Sequence, residues 1–299
     1  MRYPRLAVAA IMTVAGLSGQ SSVIGAGYSV PYPIKVAPGQ LVTFFASGVG
    51  ASLTSRAAAT ALPLPNSLAG ISVTIDELSN PPLHNEKVPV LAVAPMGGTT
   101  AVTVQIPFGL RTSSFLSPLI PPPATLTIYE NNIAAVTIDI APTPDQIHIA
   151  TTCDANLTTP VPGALCRPVV AHVDGSLVTP DSPAHTGDLL VMYAFGLGAT
   201  NPGMAAGDAA TSPQPTASTV TMSSEAAITV LPSQRQPFSP IFAGLTVGFS
   251  GLYQINFRAP APPAPFAPGD CTTFNSPNGN VAITVRGGSA DTAAVCIAP

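Results

Sequence analysis

Charge is scarce in this chain. Only 8% of its 299 residues are Asp, Glu, Lys or Arg, against about 25% in an ordinary globular protein. Tryptophan is absent, and Lys and Arg together number 10. Each shortage excludes a class. Coiled coils and helical bundles need charged, proline-poor heptads, which this sequence lacks. Charge-driven disorder needs a large net charge, and the formal value is −4. Nucleic-acid binding needs clustered basic residues, and here they are thinly scattered. No stretch after the N-terminal segment reaches the 18 or so apolar residues of a membrane helix, so no span is expected in the mature chain.

Proline is plentiful. It supplies 35 of 299 residues, roughly 12% against a usual share of about 5%. Hydrophobic residues make up 46%, enough to build a core. The combination points to a β-rich, turn-rich exported protein.

The N-terminus carries Arg2 and Arg5, then an apolar run from Leu6 to Leu17, then small residues to about Gly27. That order is the pattern of a secretory signal peptide, expected over 1–27. Ser18, Gly25, Ala26 and Gly27 each suit the residue before the cleaved bond. No cysteine follows the apolar run, so lipid attachment at a new N-terminal Cys is excluded. The expected location is secreted or cell-surface.

The four cysteines are Cys153, Cys166, Cys271 and Cys296. An even count in an exported chain reads as two disulfides, with three connectivities open. The local pairing, Cys153 with Cys166 and Cys271 with Cys296, is favoured because each pair brackets a short loop or hairpin. Without a C-x-x-C pair, metal binding is not expected.

The chain resembles itself. Pro38-Gly39-Gln40-Leu41 to Gly48-Val49-Gly50 aligns with Thr186-Gly187-Asp188-Leu189 to Gly196-Leu197-Gly198. Further on, Thr103–Pro107 aligns with Asn256–Pro260, Leu126–Glu130 with Ala282–Arg286, and Ile138–Pro142 with Val295–Pro299. The offset grows from about 148 to 157, as loop insertions would cause. Two copies of one domain are expected, at 28–142 and 143–299, joined at Pro142–Asp145. The second carries a cysteine-bearing insertion near 146–185.

In the first copy, short runs bounded by Gly, Pro and Asn predict strands at 40–47, 70–76, 88–94, 100–106, 124–130 and 133–140. The last two form a hairpin in each copy, turning at Asn131-Asn132 and at Gly287-Gly288. Those residue types tolerate the positive φ of a primed two-residue turn. No helical period is sustained. The expected fold is all-β: two tandem immunoglobulin-like antiparallel β-sandwiches after the signal peptide.

One motif runs His172-Val173-Asp174-Gly175-Ser176, then Gly187-Asp188, then Tyr193-Ala194-Phe195-Gly196-Leu197-Gly198. Another runs Gly251-Leu252-Tyr253-Gln254-Ile255-Asn256 to Pro260. Together they resemble the uncharacterised immunoglobulin-like C-terminal domain of exported acidobacterial proteins, strongly over 146–299 and more weakly over 30–142. The resemblance implies an extracellular sandwich of unknown biochemical role and supplies no catalytic residues to carry over. Its motif positions here are Gly187, Tyr193, Gly196, Gly198, Tyr253, Gln254, Asn256 and Pro260. In the first copy Thr100–Thr103 stands where the motif has its tyrosine.

A search for chemistry finds little. There is no G-x-S-x-G elbow, and Gly248-Phe249-Ser250-Gly251 has the wrong spacing. His84, His148, His172 and His185 are dispersed, with no H-E-x-x-H. His172 and Asp174 read as a strand end and turn, Asp76-Glu77 as a solvated turn, and Asp174-Gly175-Ser176 as too short for a calcium loop. Tyr28, Tyr32, Tyr129, Tyr193 and Tyr253 read as core more than as sugar platforms. No cofactor, metal or catalysis is expected. The favoured reading is a non-enzymatic adhesion or interaction module for an extracellular protein or polysaccharide. The alternatives are a polysaccharide-binding or -degrading accessory protein, and a self-associating surface subunit.

Overall fold

The computed structural model describes residues 22–26, 33–77, 84–112, 124–154, 165–227, 235–261, 271 and 279–298. Among them every regular element is a strand. The expected signal segment lies outside the described residues except at its end, where Ser22–Ala26 forms a strand.

The first half holds β1 (Ser22–Ala26), β2 (Ile34–Val36), β3 (Leu41–Ser47), β4 (Ala57–Ala58), β5 (Ser67–Leu68) and β6 (Ile71–Glu77). After these come β7 (Glu86–Val88), β8 (Val90–Met96), β9 (Thr99–Gln105), β10 (Ala124–Glu130) and β11 (Ile133–Pro142). One sheet runs β1-β3-β9-β8-β4, and the other runs β2-β11-β10-β6-β5 with β7 beside β6. Burial follows the period of two that a half-covered strand requires. Ile71, Val73 and Ile75 of β6 are buried while Ser72, Thr74 and Asp76 are only partly covered.

The second half holds β12 (His148–Ile149), β13 (Val170–His172), β14 (Ala184–His185), β15 (Leu189–Phe195), β16 (Gln214–Pro215) and β17 (Thr221–Ala226). It ends with β18 (Gln236–Phe238), β19 (Phe242–Leu245), β20 (Tyr253–Arg258), β21 (Val281–Arg286), β22 (Ala290–Val295) and β23 (Ile297–Ala298). Its sheets run β12-β15-β20-β19-β16, with β13 also on β15, and β18-β17-β21-β22; β14 and β23 pair separately and in parallel.

Each half has its own core. Val42, Phe44, Ile75, Val102 and Leu126 anchor the first, and Leu190, Met192, Ile255, Phe257 and Ile283 the second. Each such side chain contributes roughly 1.5–3 kcal/mol by leaving water. With so little charge, the sheets are cross-braced by threonine pairs. Thr43 meets Thr103 at 2.9 Å, Thr127 meets Thr137 at 3.0 Å, and Thr284 meets Thr292 at 2.8 Å.

Both disulfides join the local partners, Cys153–Cys166 and Cys271–Cys296. Covalent pairs of this kind persist in oxidising surroundings.

Two expectations need correction. Asn131 and Asn132 turn their hairpin with φ of 51° and 66°, as predicted. The hairpin after Arg286, however, uses three residues, Gly287 to Ser289, before β22 begins. Its geometry is set from outside: the buried Asp145 carboxylate accepts hydrogen bonds from Gly288 N, Ser289 N and Ser289 Oγ, each at 2.6 Å. Glu77 is likewise not a solvated turn residue. It ends β6 fully buried, with Oε1 accepting from Arg111 N at 2.7 Å.

Candidate functional site

Four of the motif residues, Tyr193, Gly196, Gly198 and Tyr253, lie at the seam between the halves. Tyr253 opens β20 with no exposed surface, and its hydroxyl donates to the Gly198 carbonyl at 2.5 Å. The same oxygen lies 3.4 Å from the carbonyl of Pro38, in the other half. Burial pushes the Tyr253 hydroxyl far above its usual range, so it stays a neutral donor.

Gly198 fits this place because its φ is +91° and a side chain would strike the Pro144 carbonyl. A small apolar cluster also joins the halves: Leu41 from β3 with Ala150, Phe195 and Leu252 from the second half, and Leu91 and Tyr193 packed against it. Phe108, from the first half, packs against the core of the second.

Polar contacts reinforce the seam. Gly207 N donates to Gln105 Oε1 at 2.5 Å, and Leu64 N donates to the Gly207 carbonyl at 2.9 Å. The connection between the halves is pinned at both ends. Thr143 N donates to the Val36 carbonyl at 2.8 Å, and Gln146 N donates to the Gly196 carbonyl at 2.8 Å.

The other motif residues have local roles. Gly187 N donates to the Ala259 carbonyl at 2.9 Å, and Gly187 O accepts from Arg258 Nη1 at 3.0 Å. Gln254 Nε2 donates to Asn256 Oδ1 at 3.2 Å on β20, and Pro260 follows that strand half-buried. Tyr129 and Tyr193 are half-buried, so none of the described tyrosines is an exposed platform; Tyr28 and Tyr32 lie outside the described residues.

A concave groove of about 480 Å³ opens along the seam. Leu41, Leu64 and Leu252 are buried in it, while Leu62 and Phe249 stand at 46% and 55% exposure. Sequence reasoning missed this groove. Its usable trace was apolar residues placed in loops, Leu62-Pro63-Leu64 and Gly248-Phe249, where no strand pattern requires them.

A second, polar cleft of about 400 Å³ lies on the second half, lined by His172, Asp174, Ser176, Ser182 and Asp188. Its acids are already engaged. Asp174 Oδ1 accepts from Ser176 N at 2.9 Å and from Ser176 Oγ at 2.6 Å, which holds its carboxyl below the usual range. Asp188 Oδ2 accepts from His185 N at 2.7 Å.

His148 forms a third polar cluster. Its Nε2 lies 3.0 Å from both Asp154 carboxylate oxygens, and its Nδ1 lies 3.4 Å from Asp291 Oδ2. Burial alone would lower its pKa, but the two carboxylates outweigh that and hold it at about 9. For Asp291, burial raises the pKa, yet hydrogen bonds from His148 and from the Ile149 and Thr292 amides bring it below the usual range. The ring stacks on Phe195 of the seam cluster, with centroids 6.3 Å apart. This arrangement ties β12, the disulfide loop and β22 together. Among the described residues no set of three His, Cys, Asp or Glu is placed to hold a metal ion.

No model of a known protein family matches the chain, and no curated protein matches it. The functional reading therefore rests on the seam and its groove.

Proposed function

We propose that the chain is an exported, non-catalytic interaction module built from two immunoglobulin-like sandwiches clamped side by side. The repeat is supported by register. Leu41 faces Gln105 in the first half and Leu189 faces Arg258 in the second, and Glu130 faces Ile71 as Arg286 faces Thr221. Sheet order agrees as well, β3-β9-β8-β4 against β15-β20-β19-β16. Export is supported by the N-terminal pattern and the two disulfides. The resemblance to the acidobacterial C-terminal domain is part of this reading.

The observation that carries it is the open apolar groove at the seam, with Phe249 and Leu62 at its rim. Recognition surfaces gather where two rigid units meet, because the scaffold fixes their shape in advance. The test is sedimentation of the mature protein with envelopes of the producing cell, with soluble sugar release measured in the same tube. Retention that Leu62→Asp weakens, without sugar release, is the expected result. Retention indifferent to Leu62→Asp overturns it.

The polar cleft supports a second reading, an accessory protein acting on polysaccharide there. Sugar release abolished by His172→Ala or Asp188→Asn would establish that reading in place of the first.

A further inference from the structure

We propose that the seam groove binds a neutral, mainly aliphatic small molecule with a single hydrogen-bonding oxygen. The inference rests on the reading that this chain recognises its partner at the seam, and it names the ligand's chemistry. About 480 Å³ falls within the range of small-molecule sites, roughly 300–1,000 Å³.

The walls decide the ligand's character. None of the lining residues is ionisable, so a charged ligand would lose its water without gaining a partner. A sugar fits poorly as well. Phe249 is the one aromatic in the lining, and Thr60 and Ser250 are its only hydroxyl side chains, too few for a polyol.

An added peptide strand is also disfavoured, since amides along the groove are already engaged. Ala59 N donates to the Leu91 carbonyl, Leu64 N to Gly207 and Gly248 N to Ala210. Aliphatic surface is what remains: Leu41, Leu64 and Leu252 beneath, with Leu62 and Phe249 above. Ser250 adds one polar point. It is 7% exposed, and its hydroxyl has no hydrogen-bond partner among the described residues. A ligand oxygen that reaches it on rotation of the side chain gives that hydroxyl a partner.

The test uses the whole mature chain and the neutral fluorophore N-phenyl-1-naphthylamine, with 1-dodecanol and ionised dodecanoate as competitors. Saturable binding is expected, displaced by dodecanol at least about tenfold more readily than by dodecanoate. Leu62→Asp and Phe249→Ser should each weaken probe binding about tenfold at an unchanged melting temperature, because both side chains are exposed. Absence of saturable binding, equal displacement by the ionised acid, or indifference to both substitutions overturns the proposal. If the probe fails while envelope sedimentation persists and still responds to Leu62→Asp, the groove takes a macromolecule, and this inference alone falls. If both readouts fail, the reading of the seam falls with it. A dimer in light scattering that Phe249→Ser dissolves shows a second copy in the groove and also overturns the proposal.

Discussion

The hydroxyl of Tyr253 sits 3.4 Å from the carbonyl of Pro38, although 215 residues separate the two along the chain. The same hydroxyl donates to Gly198 at 2.5 Å, so one buried side chain joins the two halves. In the sequence this tyrosine is a motif residue that reads as core. In the fold it is the centre of the seam.

Removing that oxygen should be felt by the whole chain. Tyr253→Phe keeps the ring and deletes the donor, leaving buried carbonyls at Gly198 and Pro38 without it. We expect a loss of about 1–2 kcal/mol, read as a lower urea midpoint at an unchanged slope. An unchanged midpoint would show that the hydroxyl contributes nothing to the seam.

Gly39 offers a sharper test of close packing. Its φ is +73°, and an added methyl would lie 2.5 Å from the Tyr253 hydroxyl and collide with the Phe108 ring. Gly97 has φ of +54° but open space around it. Both alanine variants carry the cost of left-handed backbone, about 1–2 kcal/mol. Gly39→Ala should exceed Gly97→Ala by at least about 1 kcal/mol in denaturant unfolding, because only it overpacks the seam.

His148 gives the chain an alkaline dependence. Its folded pKa of about 9 lies above the ordinary imidazole value of 6.5, so the stabilisation is fully present below 6.5 and is lost as pH rises through 9. The shift corresponds to a loss on the order of 3 kcal/mol across that window. Asp291 acts in the opposite sense. Its lowered pKa contributes stability above the ordinary carboxylate range, which is lost as pH falls through the folded value. Urea midpoints measured from neutral to alkaline pH should fall for the native chain and stay nearly level for His148→Gln.

The disulfide beside this cluster should be coupled to it. Cys153 precedes Asp154, which holds His148, and Cys153 is bonded to Cys166 across a separation of 13 residues. Replacing both cysteines by serine should cost about 3 kcal/mol by loop entropy. It should also reduce the alkaline loss, since Asp154 is then less firmly placed. A double-mutant cycle with His148→Gln that adds without coupling would contradict this.

Much of the fold was legible in the residues. Ala124–Glu130 forms a strand as predicted, and the other five strands predicted in the first half fall within about two residues of expectation, because β-branched alternation and Gly or Pro boundaries are local signals. The short strands β2, β4, β5 and β7, and β1 within the expected signal segment, were not predicted. Disulfide pairing followed from loop length. The seam was not legible, since the partners of Tyr253 and Gly198 are set by how two sheets meet. The turn at Gly287–Ser289 escaped for the same reason, being shaped by Asp145 from 143 and 144 residues away. Glu77 misled because a buried carboxylate bonded to the Arg111 amide looks, in sequence, like a polar strand end.

The most direct measurement is differential scanning calorimetry of the mature, oxidised chain. If the seam makes one body of the two halves, a single transition should appear, with calorimetric and van't Hoff enthalpies equal. Two separable transitions, or a calorimetric enthalpy near twice the van't Hoff value, would show that the halves unfold independently and contradict the account.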